Sequence, residues 1–288
     1  MKVLSLFDGI SCGMVALERA GIPVDAYYAS EIDKNAIAIS QKNYPNIIRL
    51  GDVTKWREWD IPWAEIDLLI GGSPCQGFST AGKQLGFNDY RSKLILCFFD
   101  IYDYCRRKNP NIIFLLENVI MNKESKHAIS KKLKSQPIQI NSGLVSAQNR
   151  DRLYWTNIPN VETPNDKGIS VGEALGIQNC KIGQFQPFPR NYKKMGLRRV
   201  VRMEIRSDSK SNTITTNPTA NKIQYFDKSD VDKLYPKYRN ATAQECEILQ
   251  TLPFGYTDGC GFSENQRIKL IGNGWTVDVI AHILKALA

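Results

Sequence analysis

The residues from Asp67 to Thr80, DLLIGGSPCQGFST, could present a thiol for covalent chemistry. The apolar run Leu68 to Ile70 predicts a strand, which the pair Gly71-Gly72 ends. Pro74 then fixes the turn that carries Cys75. Open α/β sheets bind ligands at the carboxyl ends of their strands, and the thiol is the most nucleophilic neutral side chain. The segment therefore indicates a nucleophilic Cys75, with a buried packing cysteine as the alternative.

A carboxylate and two guanidiniums follow other strand-like runs. Glu117 comes directly after Ile112 to Leu116, a fully apolar run that predicts a buried strand. At that strand end it would share an edge with Cys75, and it could hold or donate a proton near neutral pH. Arg150 and Arg152 alternate in an extended segment, so both would point to one face. Together they could grip a carboxylate, a base carbonyl or a phosphate, and the alternative is a surface pair in salt bridges.

The strand ends near the amino terminus indicate a site for a nucleoside. The strand-like run Val3 to Phe7 is followed by a turn, Asp8 to Gly13, and then by a helical pattern. The turn lacks the G-x-G-x-x-G spacing that brings a backbone against a pyrophosphate, which favours a cofactor without phosphates. Glu31 ends the second strand and could accept from ribose hydroxyls, and Asp52 ends the third and could accept from an adenine amine. For each acidic residue the alternative is a helix cap.

Length and composition limit the class of protein to which this chain can belong. The chain has 288 residues, of which 42% are hydrophobic and 23% charged, as expected for one large core plus a smaller lobe. It has no apolar run of about 18 residues and no secretion-signal pattern, so we expect no membrane span and a cytoplasmic location. The seven cysteines include no Cys-x-x-Cys, and the two histidines are isolated. We therefore expect neither a disulfide framework nor a metal site.

The positive charge is concentrated in one segment. The net charge is +9, and Lys181 to Lys210 holds nine basic residues against Glu204 and Asp208. This cluster, with aromatic residues interleaved, favours a nucleic acid over the alternative of a solvated basic face. The segment Ser211 to Asn217 has short polar side chains that could read base edges, although it could equally be an edge strand or an ordinary loop.

Strand and helix patterns alternate through the first half of the chain, which predicts an α/β fold with a Rossmann-like, doubly wound, mostly parallel sheet. From Pro159 onward, prolines and polar residues mark a small irregular basic lobe. A capping box at Thr242 then predicts a helix through Leu249, and a last helix is expected at about Val277 to Ala286. We therefore expect a first domain over residues 1–158, the second lobe over 159–238, and a return to the first domain over 239–288.

In order and wording, these motifs resemble those of the C5-cytosine-specific DNA methyltransferases, above all the compact phage and bacterial enzymes and the animal de novo enzymes. The resemblance implies the class I methyltransferase fold with a small target-recognition domain. It also implies S-adenosyl-L-methionine as cofactor, S-adenosyl-L-homocysteine as product and double-stranded DNA as partner. Gly274 replaces a serine common in restriction-system enzymes, which removes one side-chain contact to the cofactor. The matching segments are Phe7 to Gly13, Glu31, Gly51 to Val53, Gly71 to Ser79, Leu115 to Val119, Gln148 to Arg152, Thr242 to Pro253 and Gly272 to Ile280.

The resemblance also implies roles for individual residues. Cys75 would add to C6 of a flipped-out cytosine, and Glu117 would hold a proton at N3. Arg150 and Arg152 would contact the base carbonyl and orient that glutamate. The cofactor would be held by Phe7, Asp8, Gly9, Ile10, Glu31, Ile32, Asp52, Val53, Pro74, Leu94, Asn273, Trp275 and Thr276. DNA would be contacted by Gln76, Ser79, Arg198, Arg199, Arg202, Arg206, Thr215, Thr216 and Asn217.

Two other functions are compatible with much of this pattern. One is methylation of cytosine in transfer RNA, and the other is a catalytically silent homologue that binds DNA or a partner methyltransferase. A silent homologue is expected to lack the Pro-Cys or Glu-Asn-Val residues, which this sequence contains. The base that removes the C5 proton could be a side chain or a water. We expect a monomer, with a homo-oligomer as the alternative, in the cytoplasm of a bacterium or phage-infected host and associated with its nucleoid.

Overall fold

A computed structural model describes residues 1–74, 93–177, 181–188, 200–205, 208–216, 221–225 and 237–288. The chain forms two compact units. Unit 1 comprises Met1–Asn141, Asp151–Pro164 and Val277–Ala288, and unit 2 comprises Ser142–Arg150 and Asn165–Thr276. The functional domain boundaries expected at residues 158 and 238 remain a prediction.

Unit 1 is built on a seven-stranded sheet with the order β3-β2-β1-β4-β5-β7-β6. The strands are β1 (Lys2–Leu6), β2 (Ala26–Ser30), β3 (Ile48–Arg49), β4 (Leu68–Gly72), β5 (Ile113–Val119), β6 (Ile138–Asn141) and β7 (Asp151–Thr156). Strand β7 runs antiparallel to the other six strands, which share one direction, so the predicted mostly parallel α/β sheet is confirmed. The strand order reverses between β1 and β4, which is where open α/β sheets bind ligands.

Five α-helices are described in unit 1. They are α1 (Cys12–Ala20), α2 (Lys34–Asn43), α3 (Lys93–Lys108), α4 (Lys123–Leu133) and α8 (Val277–Leu284). Helix α8 packs on α1, and Asp278 at its start pairs with Arg19 at 2.7 Å. The predicted last helix is therefore present, and a 3-10 turn, Lys285–Leu287, continues it.

The core on one face of this sheet explains the apolar runs in the sequence. Leu4 and Leu6 of β1 and Phe114 and Leu116 of β5 alternate along their strands and are buried. They belong to one cluster with α3 residues such as Phe98. The intervening residues of these strands are buried as well, which is why these parallel strands read as continuous apolar runs.

Unit 2 is more regular than its sequence indicates. It contains a four-stranded antiparallel sheet with the order β11-β10-β8-β9. These strands pair residues far apart in sequence, such as Gly183 with Lys222, and local periodicity carries no signal of such pairing. The strands are β8 (Lys181–Phe188), β9 (Val200–Ile205), β10 (Asn221–Tyr225) and β11 (Lys237–Asn240), and the helices are α5 (Val171–Leu175), α6 (Ala243–Leu249) and α7 (Glu264–Asn273).

The local signal for helix α6 is confirmed. Thr242 accepts from the Glu245 backbone N–H at 3.2 Å, and the Glu245 carboxylate accepts from the Thr242 backbone N–H at 2.8 Å. Within the described part of the chain, no helix is both long enough and apolar enough to traverse a bilayer.

Candidate active site

The turn that follows β1, Phe7 to Ser11, has an unusual backbone, and we call it the β1 turn. Phe7, Gly9 and Ser11 are left-handed, with φ values of 58°, 59° and 62°. Glycine adopts this conformation readily, whereas it strains the other two residues. Such strained turns persist only where their surroundings hold them, and they concentrate at ligand sites. Ile10, also expected at the cofactor, is buried in this turn.

Glu31 ties the end of β2 to the β1 turn. Its Oε2 accepts from the Gly9 backbone N–H at 2.8 Å. Its Oε1 accepts from the backbone N–H groups of Ile32 and Asp33 at 2.7 and 2.8 Å. Three of the roughly four acceptor positions of the carboxylate are thus occupied, and one remains for a ligand hydroxyl. The neighbouring Ile32 side chain is 70% exposed, so an apolar surface lies uncovered beside this carboxylate.

The ends of β3 and β4 place the other unit 1 residues expected at the cofactor. Asp52 caps the 3-10 turn that follows β3, since its Oδ1 accepts from the backbone N–H and hydroxyl of Thr54 at 2.8 and 2.9 Å. Val53 is buried and Leu94 packs half-buried against the core, whereas Pro74 is exposed after β4. Because β3, β2, β1 and β4 are adjacent, Asp52, Val53 and Pro74 lie along one edge of the sheet together with the β1 turn, whereas Leu94 belongs to helix α3.

Glu117 lies at this edge next to Gly72 and Ser73, which precede Cys75 in the sequence. The strand register places it opposite Gly72, the last residue of β4. The amide of Asn118 donates to the Ser73 hydroxyl at 3.0 Å, and both side chains are buried. Cys75, Gln76 and Ser79 lie outside the described residues. Ser73, two residues before Cys75 in the sequence, thus lies directly after the end of the strand that adjoins Glu117.

The structure brings Arg152 next to Glu117. Its Nε lies 2.9 Å from Glu117 Oε1, and the two side chains are only 15% and 11% exposed. Strand β7 makes this contact possible because it runs antiparallel beside β5, with Arg152 opposite Val119. The Arg152 guanidinium thus places a fixed positive charge next to the Glu117 carboxylate.

Arg150 has different described partners. Its Nη2 donates to the carbonyl oxygen of Gly274 at 3.0 Å, and at 3.4 Å to that of Gly272. The residue is buried, and it belongs to unit 2, whereas Arg152 belongs to unit 1. In unit 2, Arg150 therefore fastens the segment that contains Asn273 and Trp275, and the expectation that both arginines address one base remains a prediction.

A buried glutamine pair that sequence reasoning missed organises the same segment. The Gln148 amide donates to Gln250 Oε1 at 3.0 Å and to the Leu249 carbonyl at 3.1 Å. Gln250 in turn donates to the carbonyls of Ile271 and Gly274 at 3.0 and 3.2 Å, and accepts from the Thr276 hydroxyl at 2.7 Å. Thr276 is buried, so its hydroxyl is used within the protein. Both glutamines stand inside matching motifs, which is the one sequence signal that could have drawn attention to them.

The segment expected to read DNA is held by the same part of unit 2. The Ile214 backbone N–H donates to Gln148 Oε1 at 2.7 Å, and Thr215 exchanges hydrogen bonds with the Asn221 side chain. A Cβ atom built on Gly272 would lie 2.9 Å from the Thr215 carbonyl oxygen, so this approach requires glycine. Thr216 is exposed. Residues 211–216 form a single isolated bridge and otherwise a loop.

The basic cluster is only partly described. Arg198, Arg199, Arg206 and the neighbouring Asn217 lie outside the described residues, and Arg202 is placed on β9 by its backbone alone. Lys210 is tied into unit 2, since its Nζ donates to the Gly143 carbonyl at 2.7 Å. This lysine therefore contributes to folding as well as to charge. In the described ranges, no group of three or more His, Cys, Asp or Glu residues could hold a metal ion.

The sequence of this chain is similar to those of known proteins. A family model described as C-5 cytosine-specific DNA methylase matches residues 1–186. The Type II methyltransferase M.NgoBV of Neisseria gonorrhoeae is 39% identical over 123 residues, covering 41% of this chain and 28% of its own. The Orphan methyltransferase M.Rho11sI of Bacillus phage rho11s is 33% identical over 182 residues, covering 59% of this chain and 35% of its own. The chain thus aligns with about a third of the length of these relatives.

Solved structures share the fold over nearly the whole chain. The Entamoeba histolytica methyltransferase EhMeth superposes with a TM-score of 0.70 at 19% identity, covering 100% of this chain and 97% of its own. A mutant of Spodoptera frugiperda DNMT2 superposes with a TM-score of 0.68 at 21% identity, covering 99% of both chains. These structures agree with the class I methyltransferase fold that the motifs imply.

Proposed function

This chain belongs to the family of C-5 cytosine-specific DNA methylases, and from that membership we propose its reaction. The chain transfers a methyl group from S-adenosyl-L-methionine to C5 of a cytosine flipped out of double-stranded DNA, through a covalent bond between Cys75 and C6. The observation that carries the proposal is the pairing of Glu117 with Arg152 beside the end of β4, which precedes Cys75 in the sequence.

Cys75 supplies the electrons that C5 lacks. Its thiolate adds to C6, and the C5–C6 double-bond electrons move to C5, which becomes enamine-like and nucleophilic. The bound cofactor supplies an electrophilic methyl group on a sulfonium. After methylation a base removes the C5 proton, the double bond re-forms, and the thiolate leaves. The target ring is inaccessible within stacked DNA, so the cytosine must leave the helix first.

Glu117 stabilises the charge that the addition creates in the ring. A carboxyl group that holds or shares a proton with N3 interacts more strongly with the ring after addition than before it. Arg152 fixes this carboxyl group through its 2.9 Å contact. The contacts of Arg150 with the Gly272 and Gly274 carbonyls support a role in holding that segment, and its contact with the base rests on the family resemblance.

The residues at the edge of the unit 1 sheet fit the adenosine part of the cofactor. The Glu31 carboxylate retains acceptor capacity for a ribose hydroxyl, and the uncovered Ile32 side chain offers an apolar surface for a flat ring. Asp52 would accept from the adenine amine through Oδ2, since Oδ1 accepts from Thr54. Asn273, Trp275 and Thr276 are proposed cofactor residues on the family resemblance.

Methyl transfer from tritiated S-adenosyl-L-methionine tests this function. We expect label in unmodified DNA from the wild-type chain, and labelling of transfer RNA alone would overturn the choice of substrate. DNA binding without any transfer would instead support the silent homologue.

Covalent trapping on DNA that contains 5-fluorocytosine tests the nucleophile. Cys75→Ser should abolish trapping, because a serine hydroxyl is far less nucleophilic than a thiolate. The matched control Cys260→Ser, which removes a half-buried thiol of unit 2, should trap as the wild type does. Trapping by Cys75→Ser would move the nucleophile to another residue.

A further inference from the structure

Asp8 is one of the residues expected at the cofactor, and its side chain has its own set of partners within the protein. The carboxylate is buried and accepts hydrogen bonds from three hydroxyl groups. Oδ1 accepts from Ser5 at 2.7 Å and from Tyr27 at 2.8 Å, and Oδ2 accepts from Ser11. The Asp8 backbone N–H donates to the Ser30 carbonyl at 3.0 Å. The side chain thus joins β1, β2 and the end of the β1 turn.

The network continues to an arginine. Ser11 donates its only hydroxyl proton to Asp8. In the hydrogen bond between the Ser11 and Ser40 hydroxyls, Ser40 must therefore be the donor. The Arg49 guanidinium donates to Ser40 at 2.7 Å. Every proton in this series therefore points toward Asp8, which favours an ionised carboxylate, whereas burial raises the pKa of Asp8 above its ordinary value.

The network meets the β1 turn at its strained residues. Asp8 stands between the left-handed Phe7 and Gly9, and its partner Ser11 is also left-handed. Phe7 and Gly9 lie between strand β1 and helix α1, and Ser11 is the residue before α1, where its carbonyl accepts from the Val15 backbone N–H at 3.4 Å. The buried Asp8 side chain bonds to Ser5 of β1, Tyr27 of β2 and Ser11 at the end of the turn. It can therefore hold the turn in one conformation without contacting a ligand itself.

We propose that Asp8 is a positioning residue for the cofactor: its buried carboxylate fixes the β1 turn so that the partly exposed Phe7 and Gly9 present a preformed surface to the cofactor. The inference rests on the proposed function. The new element is the role of the Asp8 side chain and its partners Ser5, Ser11 and Tyr27, which is to support cofactor binding and not the chemical step.

Asp8→Asn tests this role because it keeps the size of the side chain and places an NH2 group among hydroxyl donors. We expect the Kd for S-adenosyl-L-homocysteine to rise about tenfold or more, the effect of about one charge-assisted hydrogen bond. The KM for S-adenosyl-L-methionine should rise in parallel, while kcat at saturating cofactor stays within about threefold. The exposed Asp60→Asn is the matched control and should bind as the wild type does.

Tyr27→Phe removes one of the three donors and leaves the aspartate, so it decides the question if Asp8→Asn does not fold. It should give an intermediate rise in Kd with kcat unchanged. Unchanged cofactor affinity in folded Asp8→Asn, or a loss of kcat with unchanged KM, would overturn the inference. A wild-type chain that binds no cofactor would instead overturn the proposed function, so the two failures are distinguishable.

Discussion

Replacing Arg152 should impair methyl transfer more than it impairs folding. Its Nε lies 2.9 Å from Glu117 Oε1, and the side chains are 15% and 11% exposed. The direct attraction at that separation is about 6 kcal/mol for an effective dielectric constant of about 20, and desolvation offsets much of it. Because both groups keep some contact with solvent, we expect truncation of the Arg152 side chain to remove about 2 to 3 kcal/mol of favourable interaction with Glu117. If that interaction is expressed in the transition state, the rate falls about 30- to 150-fold.

The assay is single-turnover methyl transfer at saturating cofactor and DNA, so that binding is separated from chemistry. Arg152→Met should show the full loss, and Arg152→Lys a smaller one, because lysine keeps the charge and loses the planar guanidinium. Arg19→Met is the matched control, since it breaks the Arg19–Asp278 pair of helices α1 and α8 and should retain the wild-type rate. A rate for Arg152→Met within about threefold of that control would refute the assigned orientation of Glu117.

Three further predictions address other parts of the molecule. Gln250→Leu should lower the free energy of unfolding, measured in urea, by about 2 to 4 kcal/mol, because it leaves the Thr276 hydroxyl and other buried polar groups without a hydrogen-bond partner. The exposed Gln136→Leu is the control and should lower the free energy of unfolding by less than about 0.5 kcal/mol. Equal losses of stability in the two variants would contradict this prediction. Changing four arginines to glutamine should reduce the slope of log K against log salt by about 1 for each phosphate that the protein no longer neutralises, and an unchanged slope would make the cluster a solvated face. Those arginines are Arg198, Arg199, Arg202 and Arg206. The pKa of Asp8 is raised by burial, so the folded chain holds that proton more tightly than the unfolded chain. The wild type should therefore lose stability relative to Asp8→Asn as the pH rises from about 4 through the folded pKa, by up to about 1.4 kcal/mol per pH unit, and a difference independent of pH would contradict this.

Several of these sites were visible in the sequence because their signals are local. The apolar runs placed β1, β4 and β5, and the residues after them reached one edge of the sheet because parallel strands end together. The capping box at Thr242 located α6 to the residue. Such features depend on neighbours within a few positions, so residue type and spacing carry the information.

The sequence by itself determined the α/β class, the succession of the unit 1 strands, and Glu31 as a strand-end carboxylate. It predicted that Glu117 follows a strand, whereas β5 continues two residues beyond it, to Val119. Only the tertiary structure decided their partners. The insertion of antiparallel β7 beside β5 brings Arg152 to Glu117, and residues about a hundred positions apart form the Gln148–Gln250 pair. It also turned the Asp8 side chain inward, where Tyr27 of the neighbouring strand reaches it. The physical reason is that hydrogen bonds and ion pairs depend on distances across the fold, and spacing along the chain does not encode them.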